Sequence, residues 1–365
     1  MPRLKKILVQ DFRNIEFQEL EFSPNVNCIS GNNGEGKTNL LDAVYYLSMT
    51  KSAFSTSDRY NFRYGKDMFS LSGLYSMENG STSRIVIQTA SNGTKKVRRD
   101  DKLYQKVSAH IGLLPVVTVS PMDISMVSES GEERRRFANS VLSQMDPEYL
   151  AALQQYTRLL LQRNKLLKER NWDEALLGTY DQRMSSSASV IHEGRKRLVE
   201  EMAPIVQEQY RMLSGGVEEV SIQYKSDLST SSLEEILKSS RERDSILGYT
   251  TAGIQRDDFE FLMNGHPIRR NGSQGQQKSF LVSLKFAQYF VMRESYGFPP
   301  MLILDDVFDK LDMERVRNLL KMVAGNDFGQ IFITDSNKVR MQNVVGSITS
   351  DCSFFVASNG TYTQG

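Results

Sequence analysis

The sequence has 365 residues, with 45 lysine and arginine residues, 44 acidic residues and a net charge of +1. This length predicts two domains or one large domain with an insertion. Because the net charge is close to zero, the electrostatic field of the whole protein cannot attract nucleic acid, so any such contact must use a local basic patch. The two distant cysteines exclude a disulfide framework, and the sequence lacks both a signal-peptide core and a run of about 20 apolar residues. We therefore expect a cytoplasmic protein without a membrane span.

The first 49 residues predict three strands and a helix. Residues 4–12 and 15–22 are the first two strands, and residues 26–30 form a short buried strand directly before Gly31-Asn32-Asn33-Gly34-Glu35-Gly36-Lys37-Thr38. That segment is G-x-x-x-x-G-K-[ST], the phosphate-binding P-loop, and a helix with apolar spacing follows it. We expect its N–H groups to bind phosphate oxygens, Lys37 to reach the β- and γ-phosphates, and the Thr38 hydroxyl to bind Mg²⁺. The alternative is a glycine-rich turn that matches by chance.

Residues 69–119 predict strands joined by hairpins. Asn79-Gly80 and Asn92-Gly93 are typical hairpin turns, and residues 114–119 form an apolar strand. Residues 95–102 are rich in lysine and arginine. They can form a finger on DNA phosphates or a solvated hairpin edge, where lysine also discourages edge pairing.

Residues 132–213 predict a helical lobe. One helix begins at Asp146-Pro147, and a second covers about residues 173–212. Arg134-Arg135-Arg136 lies at the start of the lobe, either as a solvated helix face or as a contact for nucleic acid. A strand at 218–225 and a short helix near 231–240 return the chain to α/β character.

The last third predicts a parallel sheet with an acidic edge. An apolar strand ends in Asp305 and Asp306, a helix follows at 312–324, and a second strand ends in Thr334-Asp335. Asp305 fits the Walker B acid that binds Mg²⁺, and Asp306 can orient or deprotonate the attacking water. The alternative for the acid pair is a turn or a helix cap. A last strand at 353–356 precedes a polar tail.

A second anion site is predicted at the start of the helix after Gly272. Ser273-Gln274-Gly275-Gln276-Gln277 supplies a hydroxyl and free N–H groups there. This segment resembles the ABC ATPase signature and lies 32 residues before Asp305 (305 − 273). Asp309-Lys310-Leu311-Asp312 resembles the D-loop.

The chain as a whole resembles the RecF family of bacterial recombination-mediator ATPases. The resemblance is carried, in family order, by 11–14 (Asp-Phe-Arg-Asn), 31–43, 120–123 (Ser-Pro-Met-Asp), 133–137 (Glu-Arg-Arg-Arg-Phe), 253–258 (Gly-Ile-Gln-Arg-Asp-Asp), 272–278 and 302–312.

The resemblance implies an α/β fold: an ABC-type P-loop ATPase head with an N-terminal antiparallel β subdomain and an inserted helical lobe, without a long coiled coil. The division it implies is 1–131 for the first part of the ATPase domain, 132–245 for the helical lobe and 246–365 for the second part of the ATPase domain.

The resemblance also implies a function. ATP and Mg²⁺ would join two chains head to tail, with Lys37, Thr38 and Asp305 of one chain facing Ser273, Gln274, Gly275 and Gln276 of the other. Slow, DNA-stimulated ATP hydrolysis, with Asp306 at the water, would separate the homodimer. The resemblance further implies binding of double-stranded DNA near single-strand gaps and co-operation with RecR and RecO to load RecA in DNA repair, replication restart and the SOS response. Lysines and arginines of the lobe and of 95–102 are the candidates for DNA phosphate contacts.

Three positions depart from the family pattern. Met122 stands where an acid is common, Gln255 stands where histidine is common, and Thr334-Asp335 stands where a general ABC enzyme has its switch histidine.

Other classes of protein remain as alternatives. A transporter nucleotide-binding subunit needs no lobe as long as 132–213, and a purely structural SMC-like head does not need intact Lys37 and Asp305. An overcoming-lysogenization-type nuclease needs a metal-binding domain after the ATPase, and a GTPase needs an N-K-x-D motif that the sequence lacks.

Overall fold

A computed structural model of the chain describes residues 1–129, 131–170, 172–215, 218–306, 328–346, 349 and 351–365. The predicted helix at 312–324 and the D-loop-like segment 309–312 lie outside these residues. Among the helices that are described, none is both long and apolar enough to cross a membrane.

Strands predominate at both ends of the chain and helices in its middle. In chain order, the strands are β1 (Arg3–Phe12), β2 (Ile15–Glu21), β3 (Val26–Ser30), β4 (Met68–Ser76), β5 (Thr82–Ala90), β6 (Lys95–Arg99), β7 (Lys102–Leu103), β8 (Val116–Val119), β9 (Val220–Lys225), β10 (Asp258–Met263), β11 (His266–Pro267), β12 (Met301–Leu304), β13 (Ile331–Asp335), β14 (Cys352–Ser358) and β15 (Thr361–Gln364). The helices are α1 (Lys37–Met49), α2 (Ser125–Ser128), α3 (Gly131–Met145), α4 (Pro147–Glu169), α5 (Glu174–Ser214), α6 (Leu233–Ser239), α7 (Arg241–Leu247), α8 (Ile268–Asn271), α9 (Gln274–Tyr296) and α10 (Lys338–Gly346).

Contacts group the chain into two compact units. The first contains Met1–Asp123, Met212–Ser214 and Gln288–Gly365, and the second contains Ile124–Arg211 and Gly215–Ala287. Residues 246–287, which include the signature-like segment, group with the helical segment. The three-part division at 131/132 and 245/246 stays a prediction about domains.

The first unit contains two six-stranded sheets. One has the order β2-β1-β4-β5-β6-β7, and all of its pairs are antiparallel. The predicted hairpin turns are present, since Gly80 and Gly93 both have positive φ, 78° and 86°. Their position between β4, β5 and β6 confirms the N-terminal antiparallel subdomain.

The second sheet of this unit has the order β15-β14-β3-β13-β12-β8. Strands β14, β3, β13, β12 and β8 are parallel, as the alternation of strand and helix predicts. Residues 353–356 were predicted to be the last strand, but the polar tail after them contains one more, since Thr361–Gln364 forms β15 and pairs antiparallel with β14.

Helix α1 lies within the hydrophobic core of the first unit. Its apolar side chains cluster with residues of both sheets, among them Phe12 and Phe69 of the antiparallel sheet and Ile303 and Phe332 of the parallel one. Tyr46 of α1 packs edge-on against Phe12 and Phe69, with centroids 6.0 and 5.4 Å apart. The core therefore fixes the helix whose N-terminus carries the P-loop.

The second unit consists of helices and the sheet β11-β10-β9. The predicted helix start is confirmed, since the Asp146 side chain accepts hydrogen bonds from the N–H groups of Glu148 and Tyr149, with Pro147 in the first turn. Helix α5 has 41 residues and is the longest helix in the described ranges, which therefore contain no long coiled coil.

Candidate nucleotide-binding site

The P-loop connects the buried strand β3 to α1, and two of its glycines are required by close approach. A Cβ on Gly31 would lie 2.6 Å from the Ala357 carbonyl oxygen, and one on Gly36 would lie 2.7 Å from the Asn14 side-chain amide. Gly36 also has φ of 105°, in the left-handed region that disfavours side chains. These two glycines of the motif therefore stand where neighbouring groups leave no room for a side chain.

The hairpin formed by β14 and β15 supports this loop, a feature that sequence reasoning missed. The Tyr362 hydroxyl donates to the Gly36 carbonyl at 2.7 Å, and the Gly360 N–H donates to the Glu35 carbonyl at 3.0 Å. The Asn359 N–H also donates to the Glu35 carboxylate. The turn dipeptide Asn359-Gly360 was the sequence signal that could have revealed this hairpin.

The Lys37 ammonium group lies inside the loop. Lys37 is 4 % exposed, and Nζ donates to the carbonyls of Gly31 at 2.8 Å and Asn32 at 3.2 Å and to Asn33 Oδ1 at 3.4 Å. The loop thus surrounds one fixed positive charge, the group that a bound phosphate requires.

The structure brings the two predicted Mg²⁺ ligands together from opposite ends of the chain. The Thr38 hydroxyl lies 3.0 Å from both carboxylate oxygens of Asp305, which directly follows β12. Asp305 is 4 % exposed, and burial raises its pKa above the ordinary value, an effect opposed by the hydrogen bonds from Thr334 and Thr38. A hydroxyl and a carboxylate are hard oxygen donors that suit Mg²⁺, which keeps few protein ligands and completes its shell with phosphates and water.

This donor set is distinct from an all-protein metal cage. No group of three histidine, cysteine or acidic side chains suited to a metal ion occurs among the residues that the structure describes. With one hydroxyl and one carboxylate, the pair Thr38 and Asp305 suits a metal that also takes phosphate oxygens as ligands.

Thr334 connects the two acids at the sheet edge, a role that the sequence did not indicate. Its hydroxyl donates to Asp305 Oδ1 at 2.8 Å and accepts a hydrogen bond from the Asp306 N–H at 2.9 Å. Asp306 has φ of 44°, so the chain turns sharply directly after Asp305. Thr334, at the position where a general ABC enzyme has its switch histidine, thus holds the Asp305 carboxylate and the Asp306 backbone through its hydroxyl.

The signature-like segment begins α9 with a reciprocal pair of hydrogen bonds. The Ser273 N–H donates to Gln276 Oε1 at 2.7 Å, and the Gln276 N–H donates to the Ser273 hydroxyl at 3.3 Å. This is a capping box, which orders the helix N-terminus while Ser273 and Gln274, the first helical residue, stay exposed. Gly275 lies half-buried in the first turn.

The arginine triplet at 134–136 is largely structural. Arg134 is 4 % exposed and forms a fork with both carboxylate oxygens of Asp258, at 2.8 and 3.0 Å. Arg135 donates to the Asp257 carbonyl at 2.7 Å. Arg136 is the exposed member, and it pairs with Glu132 and Glu133 of its own helix. The interpretation of this segment as a nucleic-acid contact therefore fails for Arg134, because its guanidinium group is buried and paired with Asp258 within the second unit.

The basic hairpin at 95–102 also uses several of its charges internally. Lys95 donates to the Thr50 carbonyl at 2.7 Å and pairs with Asp58 at 2.8 Å. Arg98 donates to Gln88. Lys96 and Lys102 are exposed, so they are the members whose charge faces solvent.

Of the positions that depart from the family pattern, Gln255 has internal partners, whereas Met122 is exposed beside Asp123. The Asp123 carboxylate accepts from the Ser120 N–H at 2.7 Å, and the neighbouring Met122 is exposed. The Gln255 side chain accepts from the Tyr156 hydroxyl at 2.5 Å and donates to the Ala252 carbonyl at 2.6 Å. Asp123 thus stabilises its own turn, and Gln255 connects its turn to Tyr156 of α4.

The P-loop sequence lies on a parallel sheet, with an acid beside its threonine and a capped helix at the signature-like segment, and this is the arrangement of an ATPase head of the ABC and SMC type. The sequence matches the RecF/RecN/SMC N terminal domain family over residues 3–352. It is 43 % identical to the DNA replication and repair protein RecF of Parabacteroides distasonis, over 98 % of each chain. It is 41 % identical to that of Bacteroides fragilis, over 99 % of this chain and 98 % of the relative. The chain therefore belongs to the RecF family.

A solved structure of the recombination mediator protein RecF with ATP, in the RecFOR pathway, has the same fold. It superposes with a TM-score of 0.90 at 28 % identity and covers 100 % of this chain and 98 % of that one.

Proposed function

We propose that this protein is an ATP-dependent, DNA-binding recombination mediator that dimerises on duplex DNA near single-strand gaps. The observation that carries the proposal is the 3.0 Å approach of Thr38 to Asp305, which pairs the P-loop with the acid that the reaction needs. The relatives' role in DNA replication and repair supports it.

ATP would occupy the loop Gly31–Thr38. Its N–H groups and Lys37 would bind the phosphates, while Thr38 and Asp305 would hold Mg²⁺. The metal, when bound, neutralises charge on the β- and γ-phosphate oxygens. The bound ATP of the RecF structure above supports the choice of nucleotide.

Hydrolysis would use Asp306. In the proposed arrangement its carboxylate orients the attacking water and accepts the water proton, while the Thr334 hydroxyl holds the Asp306 backbone. Aspartate has a shorter side chain than the glutamate usual in ABC enzymes, so we expect slow turnover.

The signature would act in the partner chain. Ser273, Gln274, Gly275 and Gln276 of one chain would cover the γ-phosphate held by Lys37 of the other, so that two ATP molecules close the dimer. This arrangement explains why one chain carries two phosphate-binding helix N-termini but a single P-loop.

DNA would be bound through its phosphates by exposed cations such as Lys96 and Lys102, without reading of bases. The closed dimer at a gap would then act with RecR and RecO to load RecA. Hydrolysis would open the dimer and release it.

Light scattering tests the proposal directly. The protein would be measured without nucleotide, with ADP and with ATP and Mg²⁺, each with and without a gapped duplex and a blunt duplex of equal length. We expect a dimer with ATP alone, stabilised further by the gapped duplex. A species of unchanged mass under all conditions would refute ATP-driven dimerisation.

A further inference from the structure

Glu218 lies next to the signature although the two are far apart in sequence. Gln276 Nε2 donates to Glu218 Oε1 at 2.7 Å, and Gln276 Oε1 accepts from the Ser273 N–H at 2.7 Å. The Gln276 amide therefore joins the Glu218 carboxylate to the backbone of Ser273.

This arrangement fixes a side chain that would otherwise be mobile. Glutamine loses substantial rotamer entropy when it is ordered, so a single hydrogen bond to Ser273 holds it weakly. A carboxylate acceptor forms a stronger, charge-assisted bond than a neutral one. Because Glu218 holds one end of the amide, the other end remains on the Ser273 N–H, and the capping box stays closed.

Glu218 is in turn held by the second unit. The Tyr210 hydroxyl, near the end of α5, lies 3.5 Å from Glu218 Oε2, and Tyr210 is fully buried. Glu218 is half-buried at the start of the β9 segment, whereas its neighbour Glu219 is exposed. The contacts thus lead from the long helix, through Glu218 and Gln276, to the start of α9.

We propose that Glu218 is a positioning residue for the signature: through Gln276 it holds Ser273 in the geometry that meets the γ-phosphate of the partner chain. The proposal rests on the function proposed above, in which Ser273 acts across the dimer. Glu218 itself touches no nucleotide in this arrangement.

The test compares three variants of the full chain. Glu218→Ala removes the acceptor, Glu218→Gln keeps an acceptor oxygen without the charge, and Glu219→Ala removes an exposed neighbouring carboxylate. We expect Glu218→Ala to weaken ATP-dependent dimerisation about 10- to 100-fold, the value of one hydrogen bond to a charged group. Glu218→Gln should recover most of this loss, and Glu219→Ala should match the wild type. ATP affinity, measured below the dimerisation concentration, should be unchanged in all three.

Hydrogen exchange at the Ser273 amide gives a second readout that needs no dimer. That N–H is bonded to Gln276, so its exchange should accelerate in Glu218→Ala and return toward the wild-type rate in Glu218→Gln. In a Gln276→Ala background the Glu218→Ala change should have no further effect on exchange.

The outcomes separate the two proposals. If the wild type does not dimerise with ATP but the exchange results hold, the proposed function fails and Glu218 still orders Ser273. If the wild type dimerises and Glu218→Ala dimerises equally well or more tightly, or Glu218→Gln behaves like Glu218→Ala, the positioning role is refuted.

Discussion

The Thr334 hydroxyl donates a hydrogen bond to Asp305 at 2.8 Å while it accepts one from the Asp306 N–H at 2.9 Å. One small side chain thus orients both acids of the proposed ATPase site. Thr334 stands where a general ABC enzyme has its switch histidine, and its hydroxyl bonds the protein's own Asp305 and Asp306.

Replacing Thr334 tests this role. Thr334→Val keeps the shape but removes both hydrogen bonds, so we expect kcat for ATP to fall about 10- to 100-fold, since bonds to charged groups contribute about 1.5–3 kcal/mol. ATP affinity should change by less than about threefold, which is less than the loss of one hydrogen bond to ATP would cause. Steady-state kinetics with Thr334→Ser as the control decides the matter, because serine keeps the hydroxyl. Equal loss in both variants would contradict the role of the hydroxyl.

Lys37 carries the positive charge inside the P-loop. Lys37→Met should abolish ATP binding, because the methionine side chain has no group that bonds phosphate. Equilibrium dialysis with labelled ATP measures this, and Lys106→Met, at an exposed lysine of the same unit, is the control. Normal ATP binding by Lys37→Met would show that the site is elsewhere.

Ser273 separates nucleotide binding from dimerisation. Ser273→Arg should bind ATP as a monomer but neither dimerise nor hydrolyse it, because a long cation replaces the small hydroxyl at the proposed interface. Light scattering and a phosphate-release assay give the two readouts. Ser186→Arg, at an exposed serine of α5, controls for the added charge. An ATP-dependent dimer of Ser273→Arg would remove the trans-signature arrangement.

The arginine triplet offers a stability test. Arg134→Ala leaves the Asp258 carboxylate without its fork, and we expect a loss of about 2–3 kcal/mol of unfolding free energy. This is below the loss for a fully buried pair, because the Asp258 side chain is 35 % exposed. Arg136→Ala, which breaks only exposed pairs, should cost less than about 0.5 kcal/mol. Thermal unfolding of both variants checks this, and equal destabilisation would argue against the structural role of Arg134.

His110 makes stability depend on pH. It is fully buried with Nε2 2.8 Å from the Leu47 carbonyl, and burial lowers its pKa below the ordinary 6.5. The unfolded chain therefore binds the proton more readily than the folded one, so the stability from neutral His110 is complete above pH 6.5 and is lost as the pH falls through the folded pKa.

His110→Gln should accordingly flatten the acid side of the stability curve. Thermal unfolding between about pH 5 and pH 8 measures the slope, which covers the range where histidine titrates. His266→Gln, at an exposed histidine, is the control and should keep the wild-type slope. A wild-type slope in His110→Gln would assign the acid sensitivity to other groups.

Local motifs were enough to predict the P-loop between a strand and a helix and Asp305 at the end of an apolar strand. The P-loop is contiguous, and Asp305 ends an apolar run, so each could be read from neighbouring residues. Parallel strands then bring their carboxyl ends to one edge, and this rule alone places Asp305 near Thr38. The parallel sheet followed from the alternation of strands and helices, whereas the ABC-type head was implied by the resemblance to the RecF family.

Residues whose partners lie far along the chain were not predictable in this way. Arg134 resembles a surface cation in sequence, and only its bond to Asp258, 124 residues later, makes it internal. The role of Thr334 depends on the position of its hydroxyl between the Asp305 carboxylate and the Asp306 N–H, which the sequence does not show. The strand containing Tyr362 was missed because four mostly polar residues carry a weak hydrophobic signal, whereas their pairing with β14 decides the structure.

The position of β3 has a consequence for synthesis of the protein. The strand that leads into the P-loop is residues 26–30, yet its two neighbours in the sheet are β13 at 331–335 and β14 at 352–358. A growing chain on the ribosome thus displays the phosphate-binding sequence early, without either strand that holds it. The two strands that flank β3 are both present only after residue 358 has emerged, so we expect truncated products to expose an apolar strand and to lose ATP binding.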